Sequence, residues 1–263
     1  MSEIRSEPGS IWRITLDRPE ARNALSEPML EELGRALGDA ATNPEARIVV
    51  LAGEGSHFCA GADLGELDSD ARGPGGARYE SAFEEVLSSI ADHPLPVMAA
   101  VQGAALGAGC QITVACDLAV ASADARIGIP SSRLGILINF ENVQRLVLAV
   151  GPKRAAEILF TGKAVSGERA AEWGLINEAV APEGLAARAQ ELAEEIAAGA
   201  PLSVRGSKRG IRAVLQKLSI DRETEGFRVA DFDMMAADAF SSEDLKEGVR
   251  AFREKRKPDF RGK

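Results

Sequence analysis

The chain has 263 residues, 45% of them hydrophobic, enough for one large domain or a core with a satellite element. Its 40 acidic against 31 basic residues leave a net charge of −9, which argues against general nucleic-acid binding, because phosphate backbones demand clustered positive charge. No stretch approaches the roughly 20 uninterrupted apolar residues of a membrane span, and residues 1–7 lack the apolar core of a secretory signal, so a cytoplasmic protein without membrane insertion is expected.

Ile11 to Leu16 alternates in the manner of a strand. Ser26 stands ahead of Leu30, Leu33 and Leu37, a capping residue followed by leucines at helical spacing. Ile48 to Leu51 is short, apolar and partly β-branched, as suits a buried strand, and Val97 to Val101 repeats the pattern.

Each of these two runs leads into small residues: Phe58-Cys-Ala-Gly-Ala-Asp-Leu64 after the first, Gly103-Ala-Ala-Leu-Gly-Ala-Gly-Cys-Gln111 after the second. Glycine and alanine let a ligand approach the backbone and let a helix start at once. A helix start presents unpaired N–H groups with a favourable dipole. Two such turns aimed at one oxygen would make an oxyanion hole. A tight strand-to-helix crossing without a ligand explains a single Gly-rich turn equally well, and these glycines do not follow the GxGxxG pattern of a dinucleotide site.

Glu66 to Ala77, with Gly73, Pro74, Gly75 and Gly76, reads as a mobile loop. Tyr79, Phe83 and Glu84 then share helical spacing, which fits either a pocket wall or simple packing. His57 and His93 read as a strand-end and a loop residue. Cys59, Cys110 and Cys116, an odd count without CxxC spacing, read as small buried fillers, and no metal site is expected.

From Pro182 onward strand signals disappear and amphipathic helices are predicted at about 182–198, 203–217, 221–239 and 242–256. In the last, Ser241 or Ser242 caps, Leu245, Val249 and Phe252 share a face, and Pro258 stops the helix. Arg205, Lys208, Arg209 and Arg212 read as a solvated or interface face. Helices with so little core of their own should pack on the main body and on neighbouring copies.

The two small-residue turns, together with Leu16-Asp-Arg-Pro-Glu-Ala-Arg-Asn-Ala-Leu25, Cys116-Asp-Leu-Ala-Val120, Gln144-Arg-Leu146, Ser166 to Leu175 and Phe252-Arg-Glu-Lys-Arg-Lys-Pro258, resemble the crotonase superfamily, the enoyl-CoA hydratase/isomerase family. The resemblance runs nearly end to end. It implies an α/β fold, a spiral of repeated ββα turns over 1–195 that binds acyl-CoA, and a C-terminal α-helical trimerisation region over 196–263. It implies a homotrimer or a dimer of trimers, and no cofactor beyond the CoA of the substrate. The thioester oxygen of such proteins is held by two backbone N–H groups, which map onto Ala62 and Ala108. CoA contacts map onto Arg22, Ala60, Asp63, Phe252 and Lys255, although Lys255 also suits a solvated helix end.

Two carboxylates share proton transfer in the family's hydratases, and their positions fall on Gln111 and Ser131. An amide and a hydroxyl can orient water but have no pKa suited to acid–base transfer near neutral pH. Glu141 is the nearest local replacement. Its apolar neighbours Ile138 and Phe140 would favour a raised pKa, while its place after Asn139 equally suits a first-turn Glu complementing a helix dipole. An acyl-CoA lyase or isomerase acting through an enolate is therefore expected, with an acyl-CoA decarboxylase or an inactive acyl-CoA-binding protein as alternatives.

Overall fold

In a computed structural model, which describes residues 2–63, 74–218 and 229–262, nine strands form two sheets among the described residues. In chain order they are β1 (Ile4–Glu7), β2 (Ile11–Leu16), β3 (Ile48–Gly53), β4 (Val97–Val101), β5 (Ala104–Leu106), β6 (Leu118–Ser122), β7 (Arg126–Gly128), β8 (Val165–Ser166) and β9 (Glu178–Val180). The larger sheet runs β1-β2-β3-β4-β6-β9, parallel except for β1 against β2. The smaller runs β5-β7-β8.

Period-two alternation decides what each residue of the large sheet meets. Val49, Leu51, Val97, Ala99 and Val101 enter the main core, while Ile48, Val50, Met98, Ala100 and Val120 enter a second core on the opposite face. That second core is closed by Leu185, Ala189 and Ala193 of a later helix. Covered on both faces, the central strands are apolar at almost every position, as parallel strands are.

The helices are α1 (Glu27–Thr42), α2 (Pro74–Ala91), α3 (Ala108–Ala115), α4 (Phe140–Thr161), α5 (Gly167–Trp173), α6 (Leu185–Ala198), α7 (Pro201–Leu218), α8 (Val229–Ser241) and α9 (Glu243–Arg253). As expected, the Ser26 hydroxyl accepts from Met29 N and Leu30, Leu33 and Leu37 are buried. Three stretches repeat one plan: β3 then an extended Cys59 then α2, β4 then β5 then α3, β6 then β7 then α4. This is the strand–strand–helix spiral the sequence resemblance implies.

The structure corrects one local expectation. Neither small-residue turn starts a helix directly from its large-sheet strand. Residues 104–106 first form β5, and the 58–62 segment stays extended, with Cys59 bridged to Ala105 and Ala62 to Leu25. Backbone pairing between neighbouring turns outweighs the bias of Gly and Ala toward an immediate helix. Residues 64–73 and 219–228 lie outside the described residues, and with them most of the loop expected at 66–77 and the first part of the helix expected at 221–239.

The basic run on α7 is also corrected. Lys208 and Arg212 turn toward the body of the protein rather than to solvent, while Arg209 stays exposed. Lys208 is buried, its ammonium donating to Ile90 O at 3.2 Å, Leu95 O at 3.0 Å and Asp117 Oδ2 at 2.6 Å. Arg212 pairs with Asp92 at 2.6 Å. Carbonyls and carboxylates at the end of α2 and just ahead of β4 and β6 attract the cations, and the apolar Leu202, Ile211, Val214 and Leu218 are left exposed.

Helix α9 begins at the Ser242 cap, as expected, but ends at Arg253 before Pro258 can act. Lys255 adopts φ 54°, with Lys255 N donating to Phe252 O and Arg256 N to Ala251 O, a Schellman closure that stops the helix by itself. The helix lies against the backbone that follows the Ser131 turn, with Leu245, Val249 and Ala251 buried. A Cβ at Gly248 would stand 2.5 Å from Leu134 O, and one at Gly135 2.8 Å from Asp244 O, so the two backbones meet where only glycine fits. No helix among the described residues is long and apolar enough to cross a membrane.

Candidate active site

Three successive turns of the spiral end at one place. Cys59 N donates to Ala104 O at 2.9 Å and Leu106 N to Cys59 O at 3.0 Å, so the 59–62 segment runs beside β5. Leu106 pairs with Gly128 of β7, and Gly107 N donates to Gly128 O at 2.9 Å. The chain therefore leaves three neighbouring strand ends at Ala60–Ala62, Gly107–Ala108 and Ile129–Ser131. Carboxyl ends of parallel strands are where open α/β sheets collect ligands.

The two candidate oxyanion donors reach this place by different routes. Leu25 N donates to Gly61 O and Asp63 N to Leu25 O, both at 2.8 Å, so a parallel bridge occupies residues 61 and 63 and leaves the Ala62 N–H facing away from Leu25. Ala108 is the first residue of α3, and its N–H is one of the orphan donors at a helix start, on the positive end of the dipole. Neither amide has a protein acceptor among the described residues.

Glycines make the approach feasible. Gly107 sits at φ 54°, ψ −114°, a conformation open only to glycine, and redirects the chain from β5 into α3. A Cβ on Gly107 would be 3.8 Å from Gly61 Cα, so the two turns are in contact. A Cβ on Gly109 would lie 2.9 Å from Cys59 Cβ and closer still to the Cys59 carbonyl oxygen.

Gln111 lies in the first turn of α3, its N–H bonded to Gly107 O at 3.1 Å. Ser131 follows β7 in a short 3-10 turn whose carbonyl accepts from Leu134 and Ile136 N. Both residues are buried, and neither side-chain head has a protein partner among the described residues. Buried polar heads of this kind hydrogen-bond to water or to a ligand. Glu141 lies in the first turn of α4, half-buried, after an Asn139 cap whose Oδ1 accepts from Asn142 N at 3.0 Å.

The residues mapped to CoA divide into two groups. Arg22 O accepts from Ala60 N at 3.0 Å, and Asp63 adjoins them, so these three sit together beside the Ala62 turn. Arg22 itself is exposed, in left-handed conformation at φ 55°. The Asp63 carboxylate is held by Arg18 at 2.7 Å, which raises the Arg18 guanidinium further above its ordinary range. Phe252 and Lys255 stand exposed on α9 and its closure, Phe252 with 59% of its surface accessible.

Sequence reasoning missed three supports. Asn23 is fully buried and donates to Glu54 O and His57 O while accepting from Arg18 N, tying the 18–25 segment to the loop after β3. His57 Nδ1 accepts from Ala104 N at 3.1 Å, which orders the entry to β5. Glu84 on α2 is gripped by Arg145 and Asn139 of α4. Only the left-handed Asn within a Pro-Glu-Ala-Arg-Asn turn carried any local signal of this, because the partners are distant in sequence. His93, expected in a loop, is buried with its ring nitrogens on Leu37 O and the Leu95 backbone, and burial lowers its pKa.

A family model described as Enoyl-CoA hydratase/isomerase matches residues 6–263. The short-chain-enoyl-CoA hydratase of Clostridium acetobutylicum is 34% identical over 258 residues, spanning 97% of this chain and 95% of its own length. Among solved structures, an enoyl-CoA hydratase/isomerase from Xanthobacter autotrophicus Py2 superposes with a TM-score of 0.86 at 31% identity, covering 96% of this chain and 93% of its own. A methylmalonyl-CoA decarboxylase in complex with 2-nitronate-propionyl-CoA superposes with a TM-score of 0.88 at 26% identity, covering 99% of both chains.

Proposed function

Since the chain belongs to the enoyl-CoA hydratase/isomerase family, we propose that it acts on an acyl-CoA thioester by stabilising an enolate between the Ala62 and Ala108 amides. The observation that carries this is the pair of amides on adjoining strand ends, without protein acceptors among the described residues and one of them at a helix N-terminus. Donors fixed before the reaction stabilise negative charge as it develops on the thioester oxygen, and each contributes about 3 to 4 kcal/mol by the cost of its removal.

The fate of the enolate depends on proton transfer. Hydration by two carboxylates needs groups that positions 111 and 131 do not supply, since they hold Gln and Ser. Double-bond isomerisation needs one group that takes a proton from one carbon and returns it to another. We assign that shuttle to Glu141, with Gln111 and Ser131 orienting the acyl group or a water. Isomerase-type transfer is thus favoured over standard hydration.

Arg22, Ala60, Asp63, Phe252 and Lys255 are assigned to CoA, with Asp63 contributing through its backbone because Arg18 occupies its carboxylate. The substrate brings its own CoA, and no further cofactor is proposed. The exposed Ile211, Val214 and Leu218 on α7 and Met234 and Met235 on α8 support a homotrimer or a dimer of trimers. Light scattering should return three or six chain masses, and a monomer would remove the oligomer from the proposal.

The test is α-proton exchange of butyryl-CoA in deuterium oxide, monitored by NMR. It reports enolate formation whatever the later chemistry. Exchange is expected in the wild type, to be lost in Glu141→Gln with butyryl-CoA binding retained, and but-3-enoyl-CoA should be converted to but-2-enoyl-CoA. Exchange that survives Glu141→Gln removes Glu141, and binding without exchange across an acyl-CoA panel points to a binding protein. A second outcome, decarboxylation, is favoured by the likeness to the methylmalonyl-CoA decarboxylase. Loss of carbon dioxide leaves the electrons of the enolate without a protein base, and release of carbon dioxide from methylmalonyl-CoA would identify it.

A further inference from the structure

The first half of α4 needs an outside support. Gly151 breaks the helix at φ 76°, ψ 164°, and Pro152 after it lacks an N–H, so residues 140–150 are not held in phase by the second half. Their first turn carries Glu141.

A ring of polar contacts supplies the support from α2. Arg145 Nη2 donates to Glu84 Oε1 at 2.5 Å and Nη1 to Glu84 Oε2 at 3.3 Å, a two-point grip on the carboxylate. Arg145 Nη1 also donates to Asn142 Oδ1 at 2.8 Å. Asn139 uses both ends of its amide, Oδ1 accepting from Asn142 N at 3.0 Å and Nδ2 donating to Glu84 Oε2 at 3.2 Å. The pair is partly enclosed, with side-chain exposure of 17% for Arg145 and 29% for Glu84, and Asn142 is buried beneath it. Phe83 and Leu87 anchor α2 in the core on either side of Glu84, so the carboxylate is a fixed point.

Asn139, Asn142 and Arg145 are three apart and share one face of the helix. Glu141 lies about 100° round from Asn142 but only about 40° round from Arg145, four residues on, so it borders the gripped face. A grip on Asn139 and Arg145 therefore fixes the rotation and height of the turn that carries Glu141, and it draws the Arg145 guanidinium onto Glu84.

We infer that Glu84 is a positioning residue: held by Arg145 and Asn139, it fixes the first turn of α4 and so the place from which Glu141 acts. The inference rests on the shuttle role proposed for Glu141. Glu84→Gln keeps the side-chain volume but loses the charge that Arg145 grips, and Arg145→Lys loses the two-point geometry.

In the butyryl-CoA exchange assay each variant should be slowed about 10- to 100-fold, as misplacement by a fraction of an ångström entails. Butyryl-CoA binding should hold within about threefold, and the pH profile of exchange should move. Whatever residual exchange remains in Glu141→Gln, adding Glu84→Gln should leave it unchanged, because the two act through one group. Hydrogen exchange of the peptide spanning 139–146 should speed up in Glu84→Gln while that of 153–161 does not.

Unchanged protection of 139–146, or a loss that adds in full to that of Glu141→Gln, overturns the inference. If Glu141→Gln leaves α-proton exchange intact, the role of Glu141 fails instead, and the protection of 139–146 still decides whether Glu84 holds the turn.

Discussion

Replacing Gly109 by alanine tests whether the two amides must keep their spacing. The new Cβ would sit 2.9 Å from Cys59 Cβ and 3.1 Å from Cys59 C, against the 3.4 Å or more of ordinary contact. Cys59 cannot yield easily, because its carbonyl, nearer still, is bound by Leu106 N and its side chain is fully buried. Helix α3 must move instead, and Ala108 is the residue directly before Gly109. A displacement on the order of 1 Å costs about 100-fold in rate, and complete loss of one oxyanion donor about 100- to 1,000-fold. The overpacking itself costs about 1 to 3 kcal/mol, or a fall in Tm of about 2 to 12 °C at this chain length. The assay is α-proton exchange of butyryl-CoA, with Gly38→Ala as the control: nothing lies within 4 Å of that position in α1, so the control should be stabilised by about 0.5 to 1 kcal/mol. A folded Gly109→Ala protein exchanging at the wild-type rate would refute the proposed amide pair.

Lys208→Met should lower stability by about 3 to 5 kcal/mol in urea denaturation, because Asp117 keeps only the Val97 N–H in a site built for an ammonium; a change below about 1 kcal/mol would show that the site fills with water at little cost. His93 has its pKa lowered by burial first and by the nearby Lys208 charge, so the folded state resists protonation more than the unfolded chain does. Its contribution is complete above the ordinary value near 6.5 and is lost as pH falls through the depressed folded pKa, and His93→Gln should flatten that limb of a Tm-against-pH curve. Burial pushes the Cys59 and Cys110 thiols up to about 12, so neither should react with a thiol reagent at pH 8 until the protein is denatured. Labelling of either in the folded protein would contradict the packing around the oxyanion turns.

Elements whose residues carry their own periodicity were legible in the sequence: the strands at 11–16 and 97–101, residues 48–51 of the strand that runs to Gly53, the Ser26 cap, a cap at Ser241 or Ser242 that falls on Ser242, and the helical C-terminal region. The two small-residue turns were legible as backbone approach sites for the same reason, since glycine declares itself. Pairing between distant segments could not be read. Residues 104–106 are too short to show alternation and become a strand only because Cys59 and β7 lie on either side. The inward turn of Lys208 and Arg212 depended on Asp117 and Asp92, and charge at helical spacing looks the same whether water or a carboxylate meets it. Glu84 and Arg145, 61 residues apart, share no local signature.

The meeting of Gly248 with Leu134, and of Gly135 with Asp244, has a consequence for the order in which the molecule is made. Synthesis delivers the Ala62 and Ala108 turns early and the Ser131 turn soon after, yet the backbone from 134 to 135 has no cover until α9 leaves the ribosome. N-terminal segments fold first during translation, so a nascent chain can hold both amide donors while the floor of its third strand end is still exposed. The last helix thus acts as a completion mark: only a chain translated through residue 248 has the cover that Gly248 and Asp244 lay over the 134–135 backbone.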